Sequence, residues 1–79
     1  MLIIKILGSG CANCKRLEQM ARKAVETLAL DAEIEKVTDF NEIMKYPIIS
    51  TPGLVINEKL VSMGRIPSET EITDWLTQA

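Results

Sequence analysis

The chain has 79 residues, a net charge of −2, 47% hydrophobic and 25% charged residues, two cysteines and no histidine. This length supports one domain spanning residues 1–79, with a core of modest size. The weak charge and 4% aromatic content argue against a nucleic-acid surface, and no apolar stretch is long enough to span a bilayer.

The apolar run Leu2 to Leu7, rich in Ile and Leu and bounded by Gly8, predicts a buried strand. Interrupted by Lys5, the start of the chain lacks the charged and apolar regions of a signal peptide, so a cytoplasmic location is expected. From Ala12 to about Ala29, Cys14, Leu17, Ala21, Ala24, Val25 and Leu28 fall on one helical stripe. Lys15, Arg16, Glu18, Gln19, Arg22, Lys23 and Glu26 form the polar side, with Glu18 and Arg22 as an i, i+4 pair.

Ala32 to Val37 predicts a second, shorter strand. Asp39 and Glu42 resemble a capping box opening a short helix to about Lys45. Pro47 stops that helix, because a residue before proline disfavours α geometry. Leu54-Val55-Ile56 and Lys59-Leu60-Val61, around Asn57-Glu58, suggest a β-hairpin. Glu58 is not the glycine that a type I′ turn prefers, which leaves the turn type open. Gly64 marks the hairpin's exit. Ser68 and Glu71 form a capping box ahead of a last helix carrying Ile72, Trp75 and Leu76. The order is β-α-β-α-β-β-α. Its βαβ start requires a parallel strand pair with a right-handed crossover, and the hairpin adds antiparallel strands.

The chemistry concentrates in Cys11-Ala12-Asn13-Cys14, which holds both cysteines. Thiols at i and i+3 across a helix start lie about 5–6 Å apart, the separation a disulfide needs. The loop so closed is too short to act as a useful staple. In a reducing compartment such a pair reads as redox-active or metal-binding. Cys11 sits at the helix N-terminus, where unpaired N–H groups and the helix dipole favour the thiolate. Lys15, one turn on, is a candidate to tune the pKa further. Cys14 points at the buried stripe. The pair therefore divides its labour: Cys11 attacks a target disulfide, and Cys14 then attacks Cys11 and releases the reduced target. The alternative is soft-metal binding or transfer, Cu(I) or Zn, through the same two thiolates. With no histidine and no third cysteine, a complete site would need a second copy.

Gly8 to Glu18, Ser50 to Asn57 and Gly64 to Ser68, taken together, resemble the thioredoxin superfamily, and most closely its small redox-active disulfide proteins. The resemblance covers essentially the whole chain. It implies an α/β fold with a four-stranded mixed sheet in order 4-3-1-2, flanked by three helices. It implies a cis Thr51–Pro52 peptide beside the cysteine pair, with Thr51 lending its backbone to an extended substrate segment. It implies a monomeric thiol–disulfide oxidoreductase with no bound cofactor, working through a redox-active Cys11–Cys14 disulfide. The partners implied are target protein disulfides and an upstream thioredoxin-reductase-like donor. Thioredoxin proper differs by a Trp before the first cysteine and Gly-Pro between the two. No buried proton acceptor for Cys14 is evident: Lys5 stands on the first strand between Ile4 and Ile6. Tyr46, Pro47 and Ile48 are a candidate apolar docking patch.

Overall fold

The computed structural model describes residues 2–8 and 12–78. Along the chain run β1 (Leu2–Leu7), α1 (Ala12–Leu28), β2 (Ala32–Val37), α2 (Phe40–Ile43), β3 (Gly53–Ile56), β4 (Lys59–Met63) and α3 (Glu69–Gln78). The sheet order is β2-β1-β3-β4, which is the expected 4-3-1-2 read from the other edge. β1 pairs parallel with β2 in the register Leu2 with Ala32 through Leu7 with Val37. It pairs antiparallel with β3, from Ile4 with Ile56 to Leu7 with Gly53, and β3 pairs antiparallel with β4.

Side chains alternate across a strand, so β1 serves two cores. Ile4 and Ile6 pack with Leu17, Ala21 and Ala24 of α1, Leu54 and Ile56 of β3, and Ile72 and Leu76 of α3. Leu7 points the other way, into a smaller cluster with Ile43, Ile48 and Val55. A strand covered on both faces reads as a nearly continuous apolar run, which is why β1 shows so little alternation in sequence. Trp75 packs half-buried against the larger core.

The buried line of α1 is Cys14, Leu17, Ala21 and Ala24, so the stripe that buries the helix also fixes the direction of Cys14. The helix closes with Leu30 N–H donating to Val25 O and Ala29 N–H to Glu26 O, both at 3.1 Å. Ala29 lies in the left-handed region at φ 52°, the place in such a C-terminal motif usually taken by glycine.

Two local predictions meet different outcomes. The Ser68–Glu71 capping box forms reciprocally: Glu71 N–H donates to Ser68 Oγ at 3.2 Å and Ser68 N–H to Glu71 Oε1 at 3.3 Å. The Asp39–Glu42 box forms only by half. Asp39 Oδ1 accepts from Asn41 N–H at 3.0 Å, but Glu42 turns to Lys45 at 2.7 Å. That helix is correspondingly short, ending at Ile43 rather than Lys45.

The hairpin turn has both central residues in the left-handed region, Asn57 at φ 49° and Glu58 at φ 67°, the pattern of a type I′ turn. Asn57 clips onto β1: its N–H donates to Ile3 O at 2.9 Å, and its Oδ1 accepts from Ile3 N–H at 3.0 Å. The Glu58 carboxylate accepts from Lys5 Nζ at 2.7 Å and from Tyr46 O–H at 3.1 Å. These long-range bonds supply what glycine would otherwise make easy.

Candidate active site

The βα turn after β1 and the segment before β3 meet at Gly8. A Cβ placed on Gly8 would overlap Cys14 Sγ, and would lie 3.5 Å from Cys14 Cβ and 3.9 Å from Thr51 Cβ. Cys14 and Thr51, 37 positions apart in sequence, therefore face each other across a residue that must lack a side chain. Cys14 is 5% exposed and disulfide-bonded, and among the described residues no cysteine is free. Its placement agrees with the buried stripe. Cys11, assigned as the attacking thiol at the helix start, lies outside the described residues.

The Thr51–Pro52 peptide is cis, the geometry the resemblance implies. Pro52 is buried while Thr51 is exposed. Pro52 O accepts from Gly64 N–H at 2.9 Å, tying this segment to the end of β4. Gly64 holds a positive φ of 73°, and a Cβ there would overlap Ser50 Oγ, so position 64 accepts a side chain only with strain.

The apolar surface beside Thr51 differs from the expected one. Ile48 is buried in the smaller core, and Tyr46 is half-buried with its hydroxyl held by Lys5 and Glu58. Of the expected three only Pro47 is exposed, and the large exposed apolar residues there are Phe40 at 70%, Met44 at 56% and Ile49 at 90%. With Ile43, Ile48 and Thr51 they line an open groove of about 330 Å³. Ile48 is needed under the loop, so its neighbour Ile49 is turned outward.

Lys5 is not near the Cys14 side of the sheet. It shares the opposite face with Leu7, donating to Tyr46 Oη at 3.0 Å and to Glu58. Its two acceptors hold the ammonium charged well above the ordinary lysine range. Lys15 is exposed and lines a small cavity of about 80 Å³ together with Ile6, Gly8, Cys14, Glu18, Lys36 and Thr38.

Glu18 is the residue that the sequence reading left on the polar face. It does pair with Arg22, accepting at Oε2 from Nε at 3.0 Å and Nη2 at 2.8 Å. Yet its side chain is only 15% exposed, and Lys36 of β2 approaches Oε1 at 3.8 Å. The Arg22 guanidinium holds the Glu18 carboxyl below the usual carboxylate range, with Lys36 adding to that effect and burial opposing it. The available signal was its spacing of one helical turn after Cys14.

Among the described residues, no cluster of three or more His, Cys, Asp or Glu side chains is disposed to hold a metal ion. No helix among them is long and apolar enough to cross a membrane.

A family model described as "Thioredoxin domain" matches residues 2–77. A thioredoxin of Methanothermobacter thermautotrophicus is 44% identical over 77 residues, covering 98% of this chain and 100% of that protein. A thioredoxin of Methanocaldococcus jannaschii is 45% identical over 76 residues, covering 96% of this chain and 87% of that protein. Two solved structures share the fold. The germline-specific thioredoxin Deadhead of Drosophila melanogaster has a TM-score of 0.67 at 19% identity, covering 98% of this chain and 79% of that one. Thioredoxin-2 of the malaria parasite, described as a component of its protein secretion machinery, has a TM-score of 0.71 at 16% identity, covering 100% and 84%. With the sheet order, a family match over residues 2–77 and two sequence relatives over nearly the whole length, the chain belongs to the thioredoxin family.

Proposed function

We propose that this protein is a thiol–disulfide oxidoreductase that exchanges electrons with disulfides in other proteins through Cys11 and Cys14. The observation that carries the reading is the meeting of a buried, disulfide-bonded Cys14 with the Thr51–cis-Pro52 segment across Gly8. In the reducing direction, the Cys11 thiolate attacks one sulfur of the target disulfide. A Cys11–target disulfide forms, and the other target sulfur leaves with the electron pair. Cys14 then attacks Cys11, the second target sulfur leaves, and the protein holds the new Cys11–Cys14 disulfide. Two electrons have passed to the target. An upstream thioredoxin-reductase-like donor returns them, and no bound cofactor takes part.

In this reading Lys15, one turn after Cys11, tunes that thiol. The target segment lies extended along the exposed Thr51, pairing with its backbone and resting apolar side chains on Phe40, Met44 and Ile49. The protein works as a monomer in the cytoplasm, where the glutathione pool keeps the pair reducible.

The test replaces Cys14 with Ser, exposes the protein to cell lysate and maps disulfide-linked peptides by mass spectrometry. Target cysteines joined to Cys11 are expected. A variant that captures no partner, while wild type binds Cu(I) tightly, refutes the oxidoreductase reading in favour of the soft-metal alternative.

A further inference from the structure

The resolving step asks a buried thiol to lose its proton, and among the described residues a few groups line the cavity at Cys14 and could take it. From α1 come the Lys15 ammonium and the Glu18 carboxylate, with Arg22 behind Glu18; from β2 comes the Lys36 ammonium; from the segment after β2 comes the Thr38 hydroxyl. Among the described residues, β1 contributes Ile6 and the turn Gly8. Among these, the carboxylate is the one anionic proton acceptor, since ammonium groups only donate.

Resting on the oxidoreductase reading above, we propose that Glu18 is the proton acceptor for Cys14 during resolution. Cys14 and Glu18 stand one turn apart on the same side of α1, where Cβ atoms are about 5–6 Å apart. The cavity that both of them line, about 80 Å³, exceeds the roughly 10–15 Å³ that one water needs. A water held in that cavity can carry the proton from one to the other, the single-water reach allowed to a general base. Arg22 and Lys36 hold the carboxylate in place from two sides and keep it ionised at neutral pH, which leaves its proton site empty while making it a weaker base than an isolated carboxylate.

The proton of Cys14 Sγ–H passes to the Glu18 carboxylate. The sulfur's electron pair forms the bond to Cys11, and the Cys11–target bond breaks with its pair on the target sulfur. That thiolate is protonated from solvent, and Glu18 returns its proton to solvent through the cavity mouth.

The experiment mixes the reduced protein with excess 5,5′-dithiobis(2-nitrobenzoate) in a stopped-flow instrument. The first thionitrobenzoate is released at a rate that rises with reagent concentration; the second is released by Cys14 attack at a rate that does not. Glu18→Gln is expected to slow the second phase at least about 10-fold near neutral pH, given the usual worth of general-base catalysis. It leaves the first phase unchanged. The gap is expected to close above about pH 9, where a free thiol ionises without help, and Glu18→Asp is expected to restore part of the rate. A Glu18→Gln second phase as fast as wild type, or faster because the cavity has become more positive, overturns the proposal. Absence of any concentration-independent second phase in wild type refutes the oxidoreductase reading itself, a separate outcome. If Glu18→Gln does not fold, Glu18→Asp decides: an unchanged second phase across pH overturns the assignment.

Discussion

Replacing Gly8 with Ala probes the contact on which the candidate site is built. The added methyl would overlap Cys14 Sγ and sit 3.5 Å from Cys14 Cβ and 3.9 Å from Thr51 Cβ. Unbonded atoms settle at about 3.5–4.0 Å, so the sulfur must retreat by roughly 1 Å or the turn must open. Overpacking of this kind costs about 1–3 kcal/mol. The cost is not shared equally by the two redox states. In the disulfide-bonded state Cys14 Sγ is tied to its partner sulfur and cannot rotate away, whereas a reduced thiol can change rotamer. The oxidised form therefore loses more stability than the reduced form. For a two-electron couple, about 1.4 kcal/mol of difference corresponds to 30 mV, so the reduction potential is expected to rise, by roughly 20–60 mV at most if the whole cost falls on the oxidised form. Guanidinium unfolding of both redox forms gives the stability difference, and equilibration against a dithiothreitol redox series gives the potential. Unchanged stability in both forms with an unchanged potential would refute the close approach of Gly8 to the sulfur.

Two further outcomes follow from local features. Glu71 is held at about 2, against an ordinary 4.5, mainly by the Arg65 guanidinium and then by the Ser68 backbone. A carboxyl held down in the folded state stabilises it above its unfolded pKa and loses that contribution as pH falls through the folded one. The stability advantage of wild type over Glu71→Gln is thus expected to be full above about pH 4.5 and to vanish towards pH 2, as read by unfolding midpoints across that range; a constant advantage contradicts it. At the end of α1, Ala29→Gly relieves a left-handed residue that glycine adopts freely. A gain of about 0.5–1 kcal/mol is expected in chemical denaturation, and a loss contradicts the helix-end geometry.

Much of this architecture was legible because its causes are local. The stripe Cys14, Leu17, Ala21, Ala24 carries its own period, and the Ser68–Glu71 box closes within three residues. The features that escaped have distant causes. The positive φ of Glu58 rests on Lys5, 53 positions away, and on Tyr46. Nothing in Asn57-Glu58 alone announces such support. The exposed patch moved from Tyr46-Pro47-Ile48 to Phe40, Met44 and Ile49 because the smaller core claims Ile48. Cys14 and Thr51 could be placed together only through the family resemblance, since their meeting at Gly8 depends on strands that are neighbours in space and not in sequence. Glu18 was visible as an ion-pair partner of Arg22, but its second neighbour, Lys36, comes from β2.

The most direct test of the central claim is a stoichiometric exchange with a disulfide-bonded protein such as insulin. Reduced protein is mixed with insulin, the reaction is quenched in acid, and thiols are counted on both partners by mass spectrometry after alkylation. One insulin disulfide opened for each Cys11–Cys14 disulfide formed is the predicted result, with no exchange in Cys11→Ser. No gain of insulin thiols by wild type, or equal gain with Cys11→Ser, would contradict it.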